Sequence, residues 1–270
     1  MAADSLLLAP NHPRVVRKEI ALRRWPERLN GFKIVQLSDL HYDPYFSAHP
    51  LKAAIDIVNN LRPDLIVVTG DFVTAPWFNG DDSKAAANAG PCAELLRKMN
   101  APHGLLAVLG NHDWSTDPRQ VMGELQSAGI PVLSNSSVPI EANGARLWIS
   151  GIADILSEAC DLDMTCGKVP RDEATILLAH EPDYADHVVR RAADHPVDLQ
   201  LSGHSHGGQV RLPFAPPFYL PIMGRRYYSG QYQVGPLTVY TNVGLGTMGF
   251  PVRLNCPPEI TLLTLRSAAV

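Results

Sequence analysis

The chain has 270 residues, 46% hydrophobic and 19% charged, with a formal net charge of −4. That length and apolar content suit one large globular domain, here residues 1–270. The mild acidity speaks against a general basic surface for DNA or RNA, so no nucleic-acid partner is expected.

No stretch approaches the ~20 apolar residues of a membrane-spanning helix. Cys92, Cys160, Cys166 and Cys256 form no CxxC pair, which argues against a cysteine zinc site. Cys160 and Cys166 are near enough in sequence to bridge but read as reduced thiols. Residues 1–13 carry the run Leu6, Leu7, Leu8 without the basic start and long apolar core of a signal peptide. They read as a flexible tail on a cytoplasmic protein that is peripheral to a membrane at most. An exported form whose leader was trimmed stays open.

In chain order, residues 15–22 read as a first strand and residues 32–37 as a buried strand ending at Ser38 and Asp39. Residues 50–61 show helical spacing at Ala54, Ile55 and Val58. Residues 65–69 are apolar and β-branched, a central strand stopped by Gly70. Residues 75–90, rich in Gly, Asn, Asp and Ala, read as a surface excursion running into a helix that continues over 91–99. Residues 105–109 read as a strand, and 118–128 as a helix capped by Asp117 with Pro118 at its first position. Residues 130–152 read as short strands with a turn at Asn143-Gly144. Residues 175–179 read as a buried strand, 182–193 as a helix and 199–202 as another strand. After Gly207 only β signals remain, through Val210, Tyr227, Tyr232, Val239, Tyr240 and residues 260–265. Trp25 and Trp148 read as core. The pattern predicts a layered α/β domain, two sheets packed on each other with helices outside.

The chemistry lies in how these strands end. Asp39 and His41, Asp71, Asn111 with His112 and Asp113, His180, and His204 with His206 each follow an apolar strand directly. Loops converge at strand ends, where sheets place ligand sites. Residues two apart on an extended backbone point the same way, so Asp39 and His41, like His204 and His206, are expected to share a pocket. Gly70, Gly110 and Gly203 precede these groups and permit close backbone approach. Carboxylate, imidazole and amide donors without thiolates suit Mn, Fe or Zn. Asp43 and Asp154 read as solvated carboxylates. Trp77, Phe78 and Trp114 flank these segments and are candidates for the cleft wall.

Taken in this order, the segments resemble the calcineurin-like metallophosphoesterase superfamily, from about Lys33 to His206, with continued similarity to the C-terminus. The resemblance implies a four-layer α-β-β-α sandwich of two mixed sheets with flanking helices. It implies two divalent metal ions, Mn first, with Fe, Zn or Ni sharing the same donors. Asp39, His41 and His206 correspond to ligands of one ion, Asn111, His180 and His204 to ligands of the other, and Asp71 to the bridge. His112 matches the residue that protonates the leaving oxygen or steadies the transition state, and Asp113 the carboxylate orienting it. Many members carry Glu at the Asp113 position. The implied activity is hydrolysis of a phosphodiester or pyrophosphate bond by a hydroxide bridging the two ions.

His206-Gly207-Gly208-Gln209, Leu220-Pro221, Gly224-Arg225-Arg226-Tyr227, Gly244-Leu245-Gly246, Pro251-Val252-Arg253 and Pro257-Pro258-Glu259-Ile260 resemble a small bacterial branch. That branch includes broad phosphodiesterases and UDP-2,3-diacylglucosamine pyrophosphatases, which implies a small-molecule or lipid-linked phosphoester substrate. Arg225, Arg226 and Arg253 are candidate phosphate binders. The apolar, proline-rich segment 212–223 reads as a rim that receives an apolar part of the substrate or touches a membrane. The alternative is a buried loop packed on the second sheet. Two other functions compete: a nuclease, and a catalytically silent metal-binding scaffold.

Overall fold

The computed structural model describes residues 11–45, 47–76, 80–157 and 159–268. Residues 1–10, most of the expected tail, lie outside this range, as do Trp77 and Phe78. In chain order the elements are β1 (Arg14–Leu22), β2 (Phe32–Leu37), α1 (Ala48–Leu61), β3 (Leu65–Thr69), α2 (Asp82–Ala86), α3 (Ala89–Leu96), β4 (Leu105–Val108), α4 (Asn111–Ser115) and α5 (Pro118–Ser127). They continue with β5 (Ser136–Ala142), β6 (Ala145–Gly151), α6 (Leu162–Cys166), β7 (Ala174–Leu178), α7 (Ala185–Arg190), β8 (Leu199–Ser202), β9 (Gly230–Val234), β10 (Leu237–Thr241) and β11 (Glu259–Ser267).

The strands form two mixed sheets. The first runs β1-β11-β2-β3-β4, with β11 antiparallel to β2 and the other neighbours parallel. The second runs β5-β6-β7-β8-β10-β9, with its two edge strands antiparallel to a parallel centre. The alternation of side chains assigns each residue to a layer. On β3, Leu65 and Val67 face the second sheet, where Ile149, Ile176 and Leu201 meet them. Ile66 and Val68 face outward onto Leu51, Ala54 and Val58 of α1, Leu96 of α3 and Leu125 of α5. On the second sheet, Ile176 and Leu178 face inward and Leu177 outward, onto Ala185 and Val188 of α7. The result is helices, sheet, sheet, helices.

Local chemistry sets the element ends. The α5 cap is as expected: Asp117 accepts from the Arg119 and Gln120 amides. Arg62 closes α1 in the left-handed region (φ 49°), and Pro63 cannot continue the helix. The helix expected to begin at the end of the 75–90 excursion and continue over 91–99 is divided into α2 and α3. Pro91 has no amide hydrogen and its ring clashes with the carbonyl four residues back, so α2 cannot run into α3. The helix expected over 182–193 is a 3-10 turn at Pro182–Tyr184 followed by α7. The short α4 and α6 were not foreseen; a single turn has no periodicity to read. Trp148 is half-buried rather than core, and its Nε1 donates to Glu173 Oε2 at 2.5 Å. All four cysteines are free. No helix among the described residues is long and apolar enough to cross a membrane.

Leu201 is fully buried between the sheets on β8. Leu201→Ala is expected to lower unfolding free energy by about 2–5 kcal/mol in urea titration, from lost burial plus an inter-sheet cavity.

Candidate active site and metal centre

The C-terminal ends of β2, β3 and β4 in one sheet and β7 and β8 in the other meet at one edge of the sandwich. The seam is stitched by buried polar bonds that cross between sheets. Gln36 Nε2 donates across to Ser202 O at 2.9 Å and, within its own sheet, to Thr69 Oγ1 at 3.1 Å. The His204 amide donates to Asp39 Oδ1 at 2.9 Å, and His180 Nδ1 lies 2.6 Å from Thr69 O. All seven expected ligands converge here; Asp39, His41, Asp71, His180, His204 and His206 are buried, and Asn111 is half-buried.

The convergence does not use extended backbone. Asp39, His41, Asp71, His204 and His206 all have left-handed φ, at 49°, 42°, 57°, 68° and 49°. The β2 loop stays paired to the β3 loop past the strand ends, with Asp39 N on Gly70 O and His41 N on Asp71 O. Such conformations are costly for residues with a Cβ and persist only where the surroundings impose them. The glycines act through space, as expected: a Cβ on Gly70 would lie 2.6 Å from His180 Nδ1, and one on Gly203 would overlap Ser38 and Asp39.

Several lone-pair atoms face each other across this pocket. His180 donates its Nδ1 hydrogen to Thr69 O and turns its Nε2 toward Asp71 Oδ2, 3.2 Å away. Burial opposes a charged ring, but the Asp71 charge raises His180 well above the usual histidine range, so it holds a proton that a bound cation would displace. That Nε2 is buried with no hydrogen-bond partner. His204 gives its Nε2 hydrogen to Ile222 O at 2.8 Å, which leaves a bare Nδ1 2.8 Å from Asn111 Oδ1. His41 Nε2 and His206 Nε2 are 3.0 Å apart, and His206 Nε2 is 3.4 Å from Asp39 Oδ1. Facing acceptors repel unless a cation lies between them, so the donor set fits bound metal. Asp39 with His41 and His206, and Asp71 with Asp39 and His180, are groups whose ligand atoms lie within 4.8 Å of one another.

Electrostatics agree with that reading. Burial pushes His41 down to about 3 and His204 to about 4, and His206 well below the usual range. At neutral pH these rings are uncharged and their lone pairs are free to ligate. Burial pushes Asp39 up to about 7, with the Asp71 charge adding to it and His180 opposing. A cation at the centre would displace that proton. Burial also disfavours a charged Asp71, but the neighbouring His180 outweighs it and holds Asp71 well below the carboxylate range.

The supporting residues differ from expectation in four places. Asp113 does not touch the His112 ring. Its oxygens accept the amides of Gly110, Asp71 and Phe72 at 2.9 Å and Val73 at 3.1 Å. It shapes the β3 loop, and although burial pushes its carboxyl up, four donors favour the ionised form. His112 is instead oriented by the Ala75 amide, which donates to its Nδ1 at 3.0 Å. Arg253 is fully buried, its guanidinium spread over the carbonyls of Val243, Gly244, Gly246 and Cys256. It clamps the 243–246 loop, whose amides hold Ser38 O and Asp39 O, and it is not available to a phosphate. Asp154 is buried rather than solvated and packs beside Glu181, a buried carboxyl next to His180 and His204 that sequence reasoning missed.

A cavity of about 540 Å³ opens over the centre, lined by Asp71, Asn111, His112, His204, His206 and, from the rim, Phe218, Tyr219 and Pro221. Segment 212–223 is thus a rim and not a buried loop. Trp114 packs on the outer core instead of lining the cavity. Arg226 pairs with Asp186, and Arg225 is exposed, with Nε 3.4 Å from Leu220 O.

Arg253→Met is expected to cost about 3–5 kcal/mol of stability, because four carbonyls lose a buried cationic donor. Unchanged urea stability with a raised KM would instead return Arg253 to substrate binding.

The family profile described as calcineurin-like phosphoesterase matches residues 32–208. The chain is 40% identical over 244 residues to the uncharacterized metallophosphoesterase YkuE of Bacillus subtilis (strain 168), covering 90% of this chain and 82% of that one. It is 33% identical over 240 residues to the phosphodiesterase YaeI of Escherichia coli (strain K12), covering 87% and 82%. A dimetal phosphatase of Danio rerio has the same fold, with a TM-score of 0.52 at 13% identity over 82% of this chain and 90% of that one. With its strand-end ligands gathered at one seam and this degree of kinship, the chain belongs to the calcineurin-like phosphoesterase family and is a metal-dependent hydrolase of phosphoric esters.

Proposed function

We propose that the chain cleaves a phosphodiester or pyrophosphate bond with two divalent ions at this centre, Mn foremost among Mn, Fe, Zn and Ni. Asp39, His41 and His206 would hold one ion, and Asn111, His180 and His204 the other. The observation that carries the proposal is the position of Asp71: its Oδ2 lies 3.5 Å from His41 Nε2 and 3.2 Å from His180 Nε2, one from each half of the cluster. The ions would supply Lewis acidity to the phosphoryl oxygens and a water acidic enough to serve as nucleophile.

His112 has a defined task. Its amide donates to Asp71 Oδ1 at 2.9 Å, and its ring stands edge-on to His41 with centroids 4.9 Å apart. Because Nδ1 accepts from Ala75, the ring carries its hydrogen on Nε2. It is a neutral donor aimed into the cavity, suited to steadying charge on the phosphoryl or leaving oxygen. Arg225 is the remaining candidate to attract the substrate's anionic part. From the rim, Phe218, Tyr219 and Pro221 offer an apolar wall to the rest of the substrate, which favours a small or lipid-linked ester over a nucleic acid.

The test is turnover of bis-p-nitrophenyl phosphate with Mn²⁺. Asp71→Ala is expected to abolish it, and His112→Ala to lower kcat by about 10²–10³-fold. Because His112 acts as a neutral donor, His112→Gln should recover part of the loss, and esters with good and poor leaving groups should lose rate alike. Undiminished turnover in both alanine variants, or metal analysis far from two ions per chain, would sink the proposal.

Metal loading should depend on pH in a stated direction. Asp39 holds a proton below about 7 when no ion is bound, so protons compete with metal there and leave the carboxylate free to ligate as pH rises. The rise in Tm on adding Mn²⁺ is expected to be larger at about pH 8 than at about pH 6. A flat or inverted dependence in a thermal-shift series would contradict the assignment of Asp39.

A further inference from the structure

The chain between residues 199 and 258 contains no Asp or Glu, but it carries Arg211, Arg225, Arg226 and Arg253. In a protein of net charge −4 this biases the segment's own sequence toward positive charge, with Asp183 and Asp186 packed against residues 225–227 as its nearest carboxylates. Arg253 is buried and Arg226 is paired with Asp186. Arg211 donates its Nε to Gly207 O and lies over the Tyr228 ring with its Nη2 buried, whereas Arg225 is exposed and has no acidic side-chain partner among the described residues.

The same segment holds most of the exposed apolar bulk. Leu212, Phe214, Phe218, Tyr219 and Ile222 are exposed to 58%, 110%, 92%, 69% and 64%, and Phe250 to 78%. Gln209 Nε2 donates to Phe250 O and Met248 O, which brings the 250 loop against the rim. These are six of the nine large apolar side chains exposed among the described residues. Such clustering marks an interaction surface, whereas scattered exposure would not.

The form of the surface indicates its occupant. Phe214 and Phe218 project singly from a loop that Pro213, Pro216, Pro217 and Pro221 stiffen. Separate apolar tips beside the exposed Arg225 suit a lipid interface, where the tips enter the acyl boundary and the cation meets anionic headgroups. A protein partner would be better served by a flat, continuous patch. Phe218 and Tyr219 also line the cavity, so a surface bound by this loop lies at the cavity mouth. The loop reaches the centre itself through Ile222 O, which accepts from His204.

We infer that residues 212–222 and Phe250 dock this face on an anionic lipid surface, with the cavity opening toward the headgroups. Docking stands apart from which bond is cut; only its bearing on substrate choice rests on the proposed phosphoesterase reading.

The experiment is co-sedimentation of the full chain with vesicles of phosphatidylglycerol and phosphatidylcholine, compared with phosphatidylcholine alone. The variant combines Leu212→Ser, Phe214→Ser and Phe250→Ser, none of which lines the cavity or ligates. Wild type should bind the anionic vesicles and release with added salt. The variant should bind at least about tenfold more weakly while keeping its turnover of a soluble ester. A second variant, Phe214→Trp, should gain blue-shifted emission on the anionic vesicles, beyond any change in wild type. Equal binding by wild type and the triple variant, no preference for anionic vesicles, or unshifted Phe214→Trp emission would overturn the inference. So would a lipid-free dimer that the triple substitution dissociates, because a second copy would then be the occupant. Vesicle binding is read without turnover, so failure of docking and failure of hydrolysis are separate results.

Discussion

A carboxylate held between imidazoles from two different sheets organises this end of the molecule. Asp71, at the tip of β3, has His41 from the first sheet on one side and His180 from the second on the other. Burying that much charge and that many lone pairs is unfavourable unless each is matched. The surrounding structure does that matching. Gln36, Thr69 and the His204 amide stitch the sheets together beneath the centre, and Asp113 gathers the amides of the β3 loop. What they leave without a hydrogen bond, His180 Nε2 among it, points to the place where a cation belongs.

The geometry carries a conformational cost. Five candidate ligands sit in the left-handed region, each at a cost on the order of 1–3 kcal/mol. The inter-sheet core offsets that cost, and buried Arg253 restrains the 243–246 loop against which the Asp39 segment folds. An arginine in such a place stabilises by satisfying carbonyls, and its charge reaches the site only as a background field on His41 and His206. The chain therefore spends a cation on shape at a point where a phosphate binder was expected.

Chemistry and surface are joined by one loop. The rim that follows His206 exposes its side chains outward and sends the carbonyl of Ile222 inward to fix the His204 tautomer. A ligand's second ring nitrogen commonly takes a partner of this kind, because it sets which nitrogen is free for metal. Here the partner belongs to the most apolar exposed segment described, so the state of the rim and the orientation of a ligand are mechanically connected.

The sequence by itself determined the layers and the candidate ligand set. Leu65–Thr69 and Leu199–Ser202 were legible to the residue, because apolar runs bounded by glycine or polar punctuation are local signals. Asp39, His41, Asp71, Asn111, His180, His204 and His206 were legible because each follows such a run. Other features depended on partners distant in the chain. Asp113 and Arg253 carry their charges to backbone groups that no spacing rule connects to them. The Ala75 amide that orients His112 has no side-chain signature at all. The left-handed ligands look extended in the sequence, since φ follows from loop pairing across β2 and β3 and not from residue type. Tertiary structure decided these because they are contacts between backbone and side chain over long separations, whereas strand and ligand order are written in neighbouring residues.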